Sequence, residues 1–231
     1  MTETAIGSDT EVRLPFLDGI RAAAVVVVLL YHAGVPGVGG GLLGVDVFFV
    51  LSGFLITSLL CAEHATSGGL RLRRFWARRA RRLLPALFIL LLGVAAYARV
   101  FSGSVDGAAI RADALATLLY VANWHFIASS QGYFAQASAS PLLHAWSLAV
   151  EEQYYLVWPL VAVLVLRRGG RRALGWVAGV GAAASASLMA VLYVVGVSTD
   201  RLYYGTDTRA QALLVGSLLG AAAGRPGWRA I

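Results

Sequence analysis

Three polar residues interrupt the first long apolar run of the chain: Asp18, Arg21 and His32. Ionisable groups at membrane depth are costly enough that each is presumed to serve a function. Arg21 and His32 stand eleven residues apart, a spacing that at 100° per residue returns to within about 20° of the same helix face and climbs roughly 16 Å. The two therefore share one stripe, expected to face the interior of a bundle. The plainer alternative makes Asp18 and Arg21 an i, i+3 interface pair and His32 a polar helix terminus. A second apolar run contains Asp46, a carboxylate that needs a partner if buried or else caps its own helix N-terminus. Gly44 and Gly53 in that run allow another helix to come close. The fifth such run holds Glu151 and Glu152. Adjacent helical positions point about 100° apart, so one can face the interior while the other meets solvent or a basic partner. A structural ion-pair network is the alternative, weakened by the few basic residues at that depth. Buried Asp, Arg, His and Glu of this kind can also form a proton relay.

The elements that position these residues must be membrane helices. The 231-residue chain is 58% apolar and only 13% charged, with a mean hydropathy of +0.72, well outside the range of a soluble domain. Apolar stretches near the length that crosses a bilayer recur at 17–33, 40–60, 83–101, 107–128, 143–166, 173–197 and 209–224. The bilayer core has no water to satisfy backbone groups, and barrel-type alternation is absent. The expected fold is all-α, a polytopic membrane bundle of six to seven hydrophobic helices.

The net charge of +7 comes from 19 arginines and no lysine. Seven of them fall between Arg71 and Arg82, which reads as a cytoplasmic anchor on anionic lipid before it reads as nucleic-acid binding. Nothing else supports a nucleic-acid partner. Further basic connections follow at Arg167, Arg168, Arg171 and Arg172 and at Arg225 and Arg229, and the positive-inside rule assigns all three to the cytoplasm. Between the first two lie three apolar stretches, an odd number, so one should not cross. The weakest is 107–128, with Arg111, Asp113, Asn123 and His125; it is expected to be re-entrant or interfacial, unless one basic loop breaks the rule. The loops at 34–39 and 198–208 then lie outside. Residues 1–15 form a polar tail without signal-peptide features, expected to be cytoplasmic, and 16–231 form the membrane domain. Cys61 is the only cysteine, which excludes an intramolecular disulfide and a cysteine-based metal cluster; it is expected to pack as a small hydrophobe. No metal site is expected.

Five segments, in order, resemble the signature blocks of the acyltransferase-3 family of membrane acyltransferases: Leu17-Asp-Gly-Ile-Arg-Ala-Ala-Ala, Gly44-Val-Asp-Val-Phe-Phe-Val-Leu-Ser-Gly-Phe-Leu-Ile-Thr57, Arg78-Arg-Ala-Arg-Arg-Leu-Leu-Pro85, Trp146-Ser-Leu-Ala-Val-Glu-Glu-Gln-Tyr-Tyr155 and Thr206-Asp-Thr-Arg209. Any one block is weak evidence; five in order are specific. The resemblance implies transfer of an acyl group, usually acetyl, from acyl-CoA to a hydroxyl of a carbohydrate, lipid-linked glycan or small natural product. It implies that Arg21 and His32 are the functional pair and that the basic block meets the CoA phosphates. Acyl-CoA is then a donor substrate, with no tightly bound cofactor. It further implies an integral protein of a bacterial inner membrane, N-terminus cytoplasmic. Members commonly have about ten helices, so the seven stretches here are expected to lack a C-terminal part.

Under that reading an alcohol attacks a thioester, which needs a base, oxyanion donors and exclusion of water. His32 is the expected base, and Asp46, Glu151 or Glu152 orients it and stabilises its cation. Asn123, Ser147 and Tyr154 are candidate oxyanion donors. Arg71, Arg74, Arg78, Arg79, Arg81 and Arg82, with Arg73, are candidates for the CoA phosphates; plain topology and lipid anchoring account for at least half of them. Arg71, Arg74, Arg78 and Arg82 share a helix face. Asp18, Trp146, Ser147, Asp207 and Arg209 complete the candidate polar site. The rivals are a proton-coupled transporter and an inactive remnant of the family.

Overall fold

The computed structural model describes residues 15–101, 107–132 and 140–223. Within them the chain is helical, without strands: α1 (Pro15–His32), α2 (Leu43–Ser67), α3 (Leu72–Val100), α4 (Gly107–Leu118), α5 (Ala122–Ala128), α6 (Ala145–Val194), α7 (Thr199–Tyr204) and α8 (Thr206–Ala222). The tail before Pro15 and the basic residues Arg225 and Arg229 lie outside the described residues. The chain divides into two compact units, residues 1–48 and 49–231, with the boundary inside α2.

Three helices, α2, α3 and α6, are long and apolar enough to cross a membrane. With the helix-only architecture this bears out the expected all-α membrane bundle. In the first unit Pro15 opens α1, where a proline's missing N–H and fixed φ cost nothing, and Gly34 in the left-handed region (φ 69°) closes it. Gly41 and Gly44 take the backbone into contact with α1: a Cβ at Gly44 would press on Val28 and the Ala24 carbonyl.

In the second unit α3 begins eleven residues before its apolar stretch, at Leu72. The arginine-rich segment is thus not a loop but the first turns of a helix. Arginine is a good helix former, and no glycine or proline interrupts the segment until Pro85. The stretch at 107–128 is cut by Tyr120 (φ 55°) into helices of 12 and 7 residues, each far shorter than the roughly 20 residues of a crossing. Neither piece is long enough to cross by itself, which fits the expected re-entrant or interfacial segment.

The 50 residues of α6 are broken at Gly170 (φ 63°, ψ −164°), a conformation nearly exclusive to glycine. The limb before it runs parallel to α8: Trp146 packs on Tyr203 and Tyr204, and Tyr154 hydrogen-bonds Ser217. The limb after it runs antiparallel, with Gly181 on Leu214 and Gly175 on Ala221. Gly170 is therefore a reversal, and the two limbs match the separate stretches at 143–166 and 173–197.

The hydrophobic effect cannot drive one apolar helix onto another in lipid, so packing and hydrogen bonds must. α2 and α8 cross on glycine: a Cβ at Gly53 would collide with the Leu213 carbonyl, and one at Gly216 with the Val50 carbonyl. Gly216 and Gly220 form a Gly-x-x-x-Gly pair. Around this crossing, Trp158 donates to Thr57 (2.9 Å), and Cys61 packs as a buried small hydrophobe. Outward-facing side chains such as Ile89, Leu92, Trp176 and Val194 are apolar and exposed, as a lipid-facing surface requires.

Candidate active site

α1 sets the geometry of the first unit. His32 is its last residue, and Nδ1 lies 2.8 Å from the Val28 carbonyl oxygen. A carbonyl accepts only, so Nδ1 carries the proton and a neutral ring has its lone pair on Nε2. The Tyr31 ring meets the imidazole edge-to-face at 5.4 Å. Arg21 pairs with Asp18 at 3.7 Å, the i, i+3 arrangement named above as the plainer alternative, and the exposure of this pair makes it a weak contributor to stability. His32 is exposed and Arg21 half-buried, so the first unit does not by itself enclose the stripe. Asp46 sits in the first turn of α2, half-buried. It is past the capping position, where its charge still favours the positive end of the helix dipole.

The second unit holds a polar cluster built by α2, α3 and α6. Arg79 donates to Glu152 through Nε (3.0 Å) and Nη2 (2.9 Å), and its guanidinium lies 3.1 Å from the centroid of the Tyr155 ring. Tyr155 donates its hydroxyl to Glu151 (2.7 Å), and Ser52 of α2 donates to the same carboxylate oxygen. Trp76 ties α3 to the Tyr155 carbonyl (3.0 Å). Glu151 and Glu152 therefore diverge as adjacent helical positions must, one onto hydroxyls and one onto a cation. The expectation that few basic residues reach that depth is corrected: α3 brings Arg79 there. Arg74, Arg78 and Arg82 stand one turn apart and exposed, while Arg79, one step away, turns inward. Arg71 and Arg73 are exposed as well, Arg71 3.8 Å from Glu63, and Arg81 bonds back to the Ala77 carbonyl.

A third knot joins α5, α6 and α8. Asn123, fully buried, donates to the Tyr204 carbonyl (3.0 Å) and Thr206 (2.9 Å). Gln153 donates to Asn123 (3.0 Å) and to the Tyr120 carbonyl (2.8 Å), and accepts from Thr206 (2.5 Å). Asp207 receives two bonds from Arg201 (2.9 and 2.6 Å), which hold its carboxyl below the ordinary value. Arg209 donates to the Tyr203 carbonyl (3.0 Å) and stacks on that ring. Trp146 is buried among Tyr203, Tyr204 and Phe49. Ser147 bonds back to the His144 carbonyl (3.3 Å).

Of the three candidate oxyanion donors, Asn123 and Tyr154 are thus engaged in packing. Sequence reasoning passed over Ser52, Gln153, Tyr155 and Thr206, although all four lie within the five blocks. It also passed over the Asp113–His125 pair (2.8 Å) that links α4 to α5.

The model of the family-3 acyltransferase domain matches residues 14–230. The O-acetyltransferase OatA of Staphylococcus aureus strain NCTC 8325 is 42% identical over 206 residues, covering 89% of this chain and 34% of that protein. A putative O-acetyltransferase of S. aureus strain COL is 43% identical over 207 residues, with the same shares. The chain spans about a third of the length of these curated relatives. No solved structure matches it.

Proposed function

Since the chain belongs to the acyltransferase-3 family of membrane acyltransferases, we propose that it forms the membrane part of an O-acyltransferase that moves an acetyl group from acetyl-CoA to a hydroxyl of a glycan. Both relatives are named for O-acetyl transfer, which supports an oxygen acceptor and an acetyl donor group. In this reading Nε2 of His32 takes the proton of the attacking hydroxyl and returns it to the departing CoA thiolate. The bond formed is the ester C–O, and the bond broken is the thioester C–S. Arg21 supplies positive charge on the same stripe, and Asp46 is a carboxylate of the same unit. Arg74, Arg78 and Arg82, exposed in a row at the start of α3, bind the phosphates of the donor, and Arg79 is held back to fix Glu152. With the positive-inside rule, donor entry and the N-terminus are cytoplasmic.

The observation that carries this reading is the Nδ1 contact of His32 with the Val28 carbonyl (2.8 Å), which fixes the tautomer a base requires. No observation favours a proton-coupled transporter over it. The test supplies membranes bearing the chain with radiolabelled acetyl-CoA and candidate glycans. His32→Ala should lower transfer by about 10² to 10⁴ fold, and His32→Gln, polar but unable to accept a proton, nearly as much. Turnover by His32→Gln at the parental rate would remove His32 from the chemistry.

A further inference from the structure

Beside the reversal at Gly170, the second limb of α6 and the end of α8 enclose a groove of about 1070 Å³. Arg171 and Arg172 stand at its mouth, and its walls are small or apolar: Gly175, Gly179, Leu218 and Ala221 among them. Arg172, Trp176 and Val180 follow one another at four-residue spacing along one wall. Trp176 is 76% exposed, placed as an interfacial aromatic is. Arg171 donates to the Gly220 carbonyl (3.2 Å), which anchors its guanidinium at the rim. From Arg172 to Ala183 the wall rises over eleven residues, roughly 16 Å, about half of the ~30 Å hydrocarbon core. The groove is therefore basic at one end, apolar beyond it, and one leaflet deep. A transmembrane helix would need twice that length.

The charge is one-sided. Arg167 and Arg168 flank the same turn, no acidic residue occurs between Glu152 and Asp200, and none follows Asp207. We propose that this groove is a binding site for an anionic phospholipid, with the headgroup phosphate on Arg171 and Arg172 and an acyl chain along the Gly179 and Ala183 wall. The inference rests on the membrane fold and is independent of acyl transfer.

Trp176 is a built-in reporter. The full chain in lipid nanodiscs is titrated with brominated phosphatidylglycerol or brominated phosphatidylcholine, and the Trp176 signal is taken as the difference between the parent and Trp176→Phe. Phosphatidylglycerol should quench at lower mole fraction, and Arg171→Gln with Arg172→Gln should abolish a preference of roughly 25-fold, about fivefold for each arginine. A Cβ at Gly179 meets only Leu218, at 3.8 Å, so Gly179→Leu should fill the groove without parting the helices and weaken quenching by the anionic lipid. Equal quenching by both lipids would reduce the groove to ordinary lipid contact and overturn the proposal. So would a preference that survives loss of both arginines, or a Trp176 that neither lipid quenches because protein covers it.

Discussion

Arg79 differs from Arg78 by one helical step of about 100°, and that step takes it from the exposed row into contact with Glu152 and Tyr155. The pair is mostly buried, with side-chain exposures of 21% and 14%, so removing one partner strands a charge. Arg79→Ala should destabilise the protein by about 3 kcal/mol, whereas Arg79→Leu combined with Glu152→Leu should recover much of that loss; thermal unfolding in detergent reads both. Asp207 gives a pH test. Its carboxyl is held low by Arg201, so its contribution is complete above the unfolded value near 3.9 and disappears as pH falls through the lower folded value. The stability gap between the parent and Asp207→Asn should be constant from pH 7 to 5 and close below about pH 4. A gap that closed already between pH 7 and 5 would contradict the assigned partner. None of these partnerships was legible from the residues alone. Glu152 and Arg79 are 73 positions apart, and spacing rules reach only a few turns along one helix. The phase of the arginines did hold a signal, since Arg79 falls off the stripe shared by Arg74, Arg78 and Arg82.

At the scale of the elements, hydropathy marked all three helices long and apolar enough to cross a membrane, because lipid imposes length and apolarity with little freedom. It misplaced the start of α3. Arginine is polar yet helix-forming, so a hydropathy boundary and a helix boundary need not coincide. It also left α7 within a loop, although Ser198 accepts from the Arg201 N–H (3.3 Å) as an N-cap. The glycines of α2 were legible as sites of close approach, but not their partners: Gly44 meets α1 and Gly53 meets α8. Gly53→Ala and Gly216→Ala should each cost about 2 kcal/mol through backbone collision. Gly93→Ala, where a Cβ meets nothing within 4 Å, should instead gain about 0.5 kcal/mol. Comparing the three by thermal unfolding separates contact from helix propensity; equal effects would refute the crossing.

For the molecule as a whole, the limbs of α6 must cross in opposite directions. Cysteines placed at Ala145 and Gly196 should react with an impermeant reagent from one side of the membrane, and those at Arg78 and Arg168 only from the other. Cys61 is buried and should add little background. Reaction of Ala145 and Arg168 from the same side would rule out the hairpin. The reversal at Gly170 also bears on biosynthesis. A straight helix of 50 residues would be about 75 Å long, more than twice the hydrocarbon thickness, and would carry four arginines through its centre at about 2.5 to 3.5 kcal/mol each. With the bend, those arginines need never enter the lipid: the tip stays where it is made, and the two limbs are expected to enter as a pair. Nascent chains stalled some tens of residues beyond Gly170, with the second limb still inside the ribosome, should present the first limb without its mate, and crosslinking should find it still beside the insertion machinery. Chains stalled some tens of residues beyond Val195 should have released both limbs into the bilayer together. Release of the first limb alone from the shorter chains would show that the two enter one after the other.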